Sequence, residues 1–176
     1  MDSSKINQTE LSYSCGAGDA KLNLYTGRLA LEYQLCSIGI KNYGLTLSNI
    51  YNSHFGLPSN INTHLGENWK LNIQQYVYME DGKYYYIDGS GMIIEFECLS
   101  INTYYDKSGL GLKLTTNSNS GLLTINDVLN NEMIFQNGKL IKTVSSENIN
   151  VAKIYDYDEN ERISDDSIAL DLYWHR

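Results

Sequence analysis

No run of basic side chains occurs anywhere in the 176 residues, and the formal net charge is -8. Nucleic-acid backbones are gripped by clustered Lys and Arg, so that class of partner is excluded. No apolar segment is long enough to cross a bilayer as a helix. The opening "MDSSKINQTELSYSCGAGDA" has no basic stretch leading into an apolar one, so no secretory signal is read there and location stays unassigned. Cys15, Cys36 and Cys98 are odd in number and far apart, which excludes a complete disulfide framework and any C-x-x-C metal knuckle. Buried or simply free thiols are the expectation. A sustained apolar stripe at helical spacing is also missing, as is a G-x-S-x-G elbow. "GSG" at 89–91 precedes a strand-like run, so it offers no helix N-terminus to a phosphate.

What the chain has instead is short apolar alternation punctuated by glycine turns. "KLNLY" and "RLALEY" flank Thr26-Gly27, which is expected to form a tight hairpin loop, with Gly27 supplying a positive φ. The same signal returns at Asp81-Gly82, at "DGSG" (88–91) and at Asn137-Gly138. Further strands are expected at 45–53, 69–79, 92–97, 110–116, 122–127, 132–136 and 139–144, with "VLNNEM" as a loop. Ten or more strands with short connections predict an all-β fold, an antiparallel meander of successive hairpins with open edges. Residues 1–19 are expected to be a disordered or extended tail, and 20–176 one β-sheet domain. The long stretch "SHFGLPSNINTHLGEN" (53–68) is expected to be a loop that is functional or held by packing. The last segment ends on a strand-like run, which suggests a sheet that continues beyond it.

Three tyrosines in a row, Tyr84, Tyr85 and Tyr86, cannot share one face of a strand, because successive side chains leave on opposite sides. Together with Tyr104, Tyr105 and Trp69 they form a candidate binding surface, or else the two faces of an ordinary sheet.

Three stretches together resemble the amino-terminal part of an Rhs/YD-repeat protein. "LNLYTGRLALEYQLCSIGIKNYGLTLSNIYNS" (22–53) is similar to the entry segment of that family. "GENWKLNIQQYVYMEDGKYYYIDGSGMIIEFE" (66–97) is similar to its Gly-x-Gly-Trp strand and following D-G hairpin, with Asn68 in place of the second glycine. "FQNGKLIKTVSSENINVAKIYDYDENERI" (135–163) looks like one Tyr-Asp unit, with Glu161 where glycine is usual. The resemblance implies an entry segment over 20–127, a YD-like unit over 128–163 and a truncated strand over 164–176. It also implies a non-enzymatic structural scaffold of the kind that walls off a compartment in secreted or surface toxin-delivery and cell-contact proteins. Its partners would be further repeats or another chain joined through sheet edges, with homo-oligomers possible, and no cofactor is expected. Tyr155 and Tyr157 join the other tyrosines as sheet-packing residues in this picture.

Two rival readings come from other classes: a carbohydrate- or surface-binding β module using exposed tyrosines, and a small hydrolase with carboxylates such as Glu80, Asp88 and Glu95 around a cleft. The stretch 156–167 places Asp156, Asp158 and Asn160 in alternation as a calcium loop does, but Glu161 and Ser167 stand where Gly and a bidentate Glu are required. A solvated acidic turn is the expectation. His54 and His64 share a loop without further ligands at zinc spacing, and Cys98 lies between acids, which suppress a thiolate.

Overall fold

The computed structural model describes residues 10–158 and 163–165, apart from 17, 25, 41–42, 55, 59–60 and 147–151. All described regular structure is antiparallel β. Where the sequence points to one domain from residue 20, the chain divides into two compact units: Met1–Ile73 with Gly89–Gly91, and Gln74–Asp88 with Met92–Arg176.

The first unit is a five-stranded sheet in chain order: β1 (Glu10–Cys15), β2 (Gly18–Asn23), β3 (Leu29–Ile40), β4 (Tyr43–Asn52) and β5 (Trp69–Leu71). Strand β1 occupies part of the segment expected as a tail. Its alternation of Leu11 and Tyr13 with Ser12 and Ser14 has the period of a half-covered strand. The β2–β3 connection keeps the positive φ at Gly27 (70°) but spans five residues, 24–28, rather than two. It closes between Asn23 and Arg28, with the Thr26 amide donating to Asn23 Oδ1 at 2.9 Å. Register aligns Tyr13, Ala20, Leu31, Tyr51 and Trp69 in one row across all five strands, with Leu11, Leu22 and Leu29 in the row beside it. Period-two alternation puts both rows on one face, and Ser12, Asp19, Lys21 and Glu32 on the other.

The second unit is a closed eight-stranded barrel. It comprises β6 (Tyr76–Glu80), β7 (Lys83–Ile87), β8 (Ile93–Ser100), β9 (Thr103–Asp106), β10 (Lys113–Asn117), β11 (Leu122–Asn126), β12 (Glu132–Gln136) and β13 (Lys139–Val144). Each strand pairs with the next, and β13 returns to β6 at Lys139 opposite Tyr76. Backbone hydrogen bonds from Val77 N to Gly138 O (2.8 Å) and from Leu140 N to Gln75 O (3.1 Å) seal the closure. A Cβ on Gly138 would sit 2.6 Å from the Val77 carbonyl oxygen, so only glycine admits this approach. Eight strands leave an interior just wide enough for side chains to fill. Val77, Tyr86, Ile94, Phe96, Leu112, Leu114, Ile125, Phe135 and Leu140 fill it. Burying each large apolar side chain is worth about 1.5–3 kcal/mol, and this interior holds the barrel together.

The expected meander is therefore present, but its open edges are confined. In the barrel the first and last strands, β6 and β13, pair with each other, whereas the first sheet keeps β1 and β5 as its edges. Strand β14 (Ala152–Ile154) pairs with the far end of β13, and β15 (Asp156–Tyr157) and β16 (Ile163–Asp165) make a small hairpin. The expected turns at Asp81-Gly82 and Asn137-Gly138 have positive φ at both residues, the two-residue hairpin geometry that twisted strands require. One expected strand divides: "WKLNIQQYVYM" becomes β5 and β6, in different units. Asn72 ends β5 by turning its amide to the β4 backbone, accepting from Ser48 N (3.0 Å) and donating to Thr46 O (2.8 Å).

Candidate functional site

Alternation along β7 decides what the tyrosine run does. Tyr84 and Tyr86 point into the barrel and Tyr85 points out. Tyr86 is fully packed, meets Phe135 edge-on at 5.8 Å, and its hydroxyl hydrogen-bonds Gln75 Oε1, with Met133 Sδ 3.3 Å away. Burial pushes the Tyr86 phenol pKa far up, with Asp88 and Tyr155 adding to the shift, so it stays neutral. Tyr84 meets Tyr104, on β9, edge-on at 4.9 Å at the margin of the same core, and burial again raises its pKa.

The outward tyrosines form a different surface. Tyr85 stacks on its cross-strand neighbour Tyr78, with ring centres 5.3 Å apart and planes 19° apart. On the next strand Glu95 stands opposite Tyr85. Lys83 Nζ lies 2.7 Å from Glu95 Oε1, and Lys107 reaches Glu95 at 3.7 Å and Glu97 at 3.6 Å. Tyr105 follows, opposite Glu97 and Lys113. The outer wall of β6 to β10 is thus a belt of phenol, carboxylate and ammonium. Of the six residues named from sequence, Tyr85 and Tyr105 lie on it, whereas Tyr84, Tyr86 and Tyr104 are interior. Trp69 belongs to the first unit, tilted against Tyr51 at 5.2 Å.

Two of the three carboxylates considered for hydrolysis have structural partners. Hydrogen bonding from Lys83 comes first, and with nearby Lys107 it holds the Glu95 pKa below its usual range, the opposite of what a general acid needs. Asp88 accepts from the Met92 amide at 2.8 Å within its own turn, and Glu80 is exposed at the end of β6. Among the described residues, no group of three or more His, Cys, Asp or Glu converges as metal ligands do. His54 and His64 are both exposed, and Cys36 and Cys98 are free and exposed rather than buried. Asp156 and Asp158 line a recess of about 430 Å³ with Lys139, Tyr155 and Tyr157. The remaining positions of that acidic stretch, 159–162 and 166–167, lie outside the described residues, Asn160, Glu161 and Ser167 among them.

Sequence reasoning missed the polar interior of the first unit. Lys70 is 0% exposed, and its ammonium donates to Gly89 O (2.9 Å) and Leu71 O (3.2 Å). Arg28 Nε donates to Asn52 Oδ1 at 2.9 Å, and both side chains reach Gly91 O at 3.4 Å. This cluster ties the Gly89–Gly91 tip to β4 and β5 within the unit. Its donors are consumed by backbone carbonyls and by the Asn52 side-chain oxygen, which suits clamping rather than chemistry on a substrate. The alternation of Lys70 between Trp69 and Leu71 was the only sequence signal that it faces away from them.

No protein-family model matches the chain, and no curated protein matches it.

Proposed function

We propose that the chain is a non-enzymatic structural β scaffold, similar to the entry segment and first repeat of an Rhs/YD-repeat protein. The observation that carries this reading is the use of the tyrosines. Tyr84, Tyr86 and Tyr104 pack into the barrel, Tyr85 pairs with a neighbour on the sheet, and Tyr157 donates its hydroxyl to Leu140 O at 2.9 Å with Lys139 over its ring at 5.4 Å. Phenols spent on packing make a wall. Asn68 supports the resemblance as well: standing in the place of glycine, it has φ 65°, which glycine would adopt freely and which Asn tolerates better than most residues. Strand β15 lies in the Tyr-Asp segment of the resemblance, and its partner β16 begins at that segment's last residue, Ile163. The β15–β16 hairpin and the edges β1 and β5 are where further repeats or another chain would add.

Hydrogen exchange tests the scaffold role. One further Tyr-Asp hairpin is appended after residue 176, and the β15–β16 amides are compared with those of the chain alone. Protection is expected to rise at least about tenfold as the new strand pairs. Unchanged exchange would remove the basis for a continuing wall.

A second reading, a carbohydrate-binding module, is favoured by the Tyr78–Tyr85 stack beside Glu95. Titration with soluble oligosaccharides, followed by tyrosine fluorescence, separates the two. A saturable change lost in Tyr85→Ala would favour binding over scaffolding.

A further inference from the structure

The first unit's sheet presents an aromatic and aliphatic face that the described residues leave partly exposed. Every described member of the row Tyr13, Ala20, Leu31, Tyr51, Trp69 remains at least partly exposed, Tyr13 at 76%. Such a face is ordinarily half of a two-layer structure. It carries no charged residue along this row or the neighbouring Leu11, Leu22, Leu29 row, although the chain as a whole bears a net charge of -8. A charged partner has nothing here to attract, whereas an equally charge-free face meets it without repulsion.

We propose that this face docks on the same face of a second copy, forming a two-layer dimer about a two-fold axis along β3. Strand order makes the surface self-complementary. With five strands, an axis on the central one sets β2 over β4 and β1 over β5. The small Ala20 then lies over Tyr51 of the partner subunit, and Tyr13 over Trp69 of the partner subunit, so large side chains meet small ones at the inner positions and two aromatics close each rim. Five strands at about 4.8 Å spacing, over about 20 Å of strand, give on the order of 500 Å² per copy. That is below the roughly 800 Å² per partner of a standard stable interface, so the dimer is reversible and concentration-dependent. A planar-sugar platform is the weaker fit, because Tyr51 and Trp69 are tilted 51° to each other and offer no common plane. The inference is independent of the scaffold reading, which extends the sheet through strand edges and not through a face.

Sedimentation velocity on the purified chain, over roughly two decades of concentration up to about 0.5 mM, tests it. A monomer–dimer equilibrium is expected. Tyr13→Glu, at a site exposed enough to leave the monomer folded, is expected to raise the dissociation constant at least about tenfold. Glu32→Lys, on the opposite face, is expected to leave it unchanged. A monomer throughout the range overturns the proposal. So does a dimer indifferent to Tyr13→Glu, which would place association at the edges, or one weakened equally by both substitutions. Binding of the chain to neutral phosphatidylcholine vesicles in place of dimerisation would also overturn it, by assigning the face to lipid.

Discussion

The barrel and the five-stranded sheet dispose of their side chains in opposite ways. By closing, the barrel gives every strand an inside, and nine apolar or aromatic residues fill it without help from other layers. The sheet does not close. Its apolar face stays partly in solvent, and the residues it buries completely include Ser48, Asn52 and Lys70; Asn52 and Lys70 donate to the backbone carbonyls of Gly91 and Gly89, whereas the Ser48 hydroxyl has no hydrogen-bond partner among the described residues. Hydrophobic burial tolerates small displacements because it is non-directional, whereas a buried ammonium loses most of its compensation once its carbonyls move. The barrel is expected to be the more stable unit and the sheet the one that opens first, under strain or for a partner.

The sharpest way to break this comparison is Phe135→Ala, which empties the centre of the barrel and is expected to cost about 3–5 kcal/mol. In a Trp174→Phe background, Trp69 emission follows the sheet, while near-ultraviolet tyrosine circular dichroism is dominated by the barrel. Urea unfolding is expected to show the barrel transition moving to lower denaturant. A single coincident transition in both the parent and the variant would dissolve the distinction between the units.

A smaller effect is expected at Lys70. Lys70→Ala leaves the Gly89 and Leu71 carbonyls without this donor and opens a cavity, costing about 2–3 kcal/mol in the transition seen by Trp69. Lys70→Met keeps the volume and removes the charge, and is expected to recover a good part of that loss. If Met is no better than Ala, the hydrogen bonds alone, not packing, hold the tip to β4 and β5.

The smallest effect concerns the barrel's polar turns. Burial acts to raise the pKa of Asp106, but the amides of Leu110 and Leu112, the Ser108 hydroxyl and the Gly111 amide outweigh it and hold the carboxyl below its ordinary value. Asp127 is lowered in the same way, its burial outweighed by Asn131 and Leu129. A depressed folded pKa means stability that is present above the ordinary carboxylate value of about 3.9 and lost as pH falls through the folded one. Barrel stability is therefore expected to decline below about pH 4. Asp106→Ala is expected to cost about 1–2 kcal/mol at neutral pH and to flatten that acid limb in urea titrations. An unchanged limb in the variant would assign it to other carboxylates.

Local chemistry was the legible part of this molecule. The hairpins at Asp81-Gly82 and Asn137-Gly138 have the expected backbone, and the strands at 132–136 and 139–144 have the expected bounds, because turn type and period-two alternation act over a few residues. The run at 69–79 has the pattern of one strand because alternation continues across Asn72, and only its bonds to β4 break the ladder there. The tyrosine patch was half legible. Alternation required Tyr85 to oppose Tyr84 and Tyr86, but which side is interior depends on where β13 lands.

Residue order by itself determined the fold class, the positions of most turns, and which side chains share a face, since these follow from φ preferences and from alternation within each strand. Only the tertiary structure decided that β13 returns to β6, so that one set of tyrosines became core and another became surface. It also decided that a lysine between Trp69 and Leu71 would be buried against Gly89. The two outcomes join residues 63 and 19 positions apart, where no local preference acts and the gain from excluding water selects the pairing.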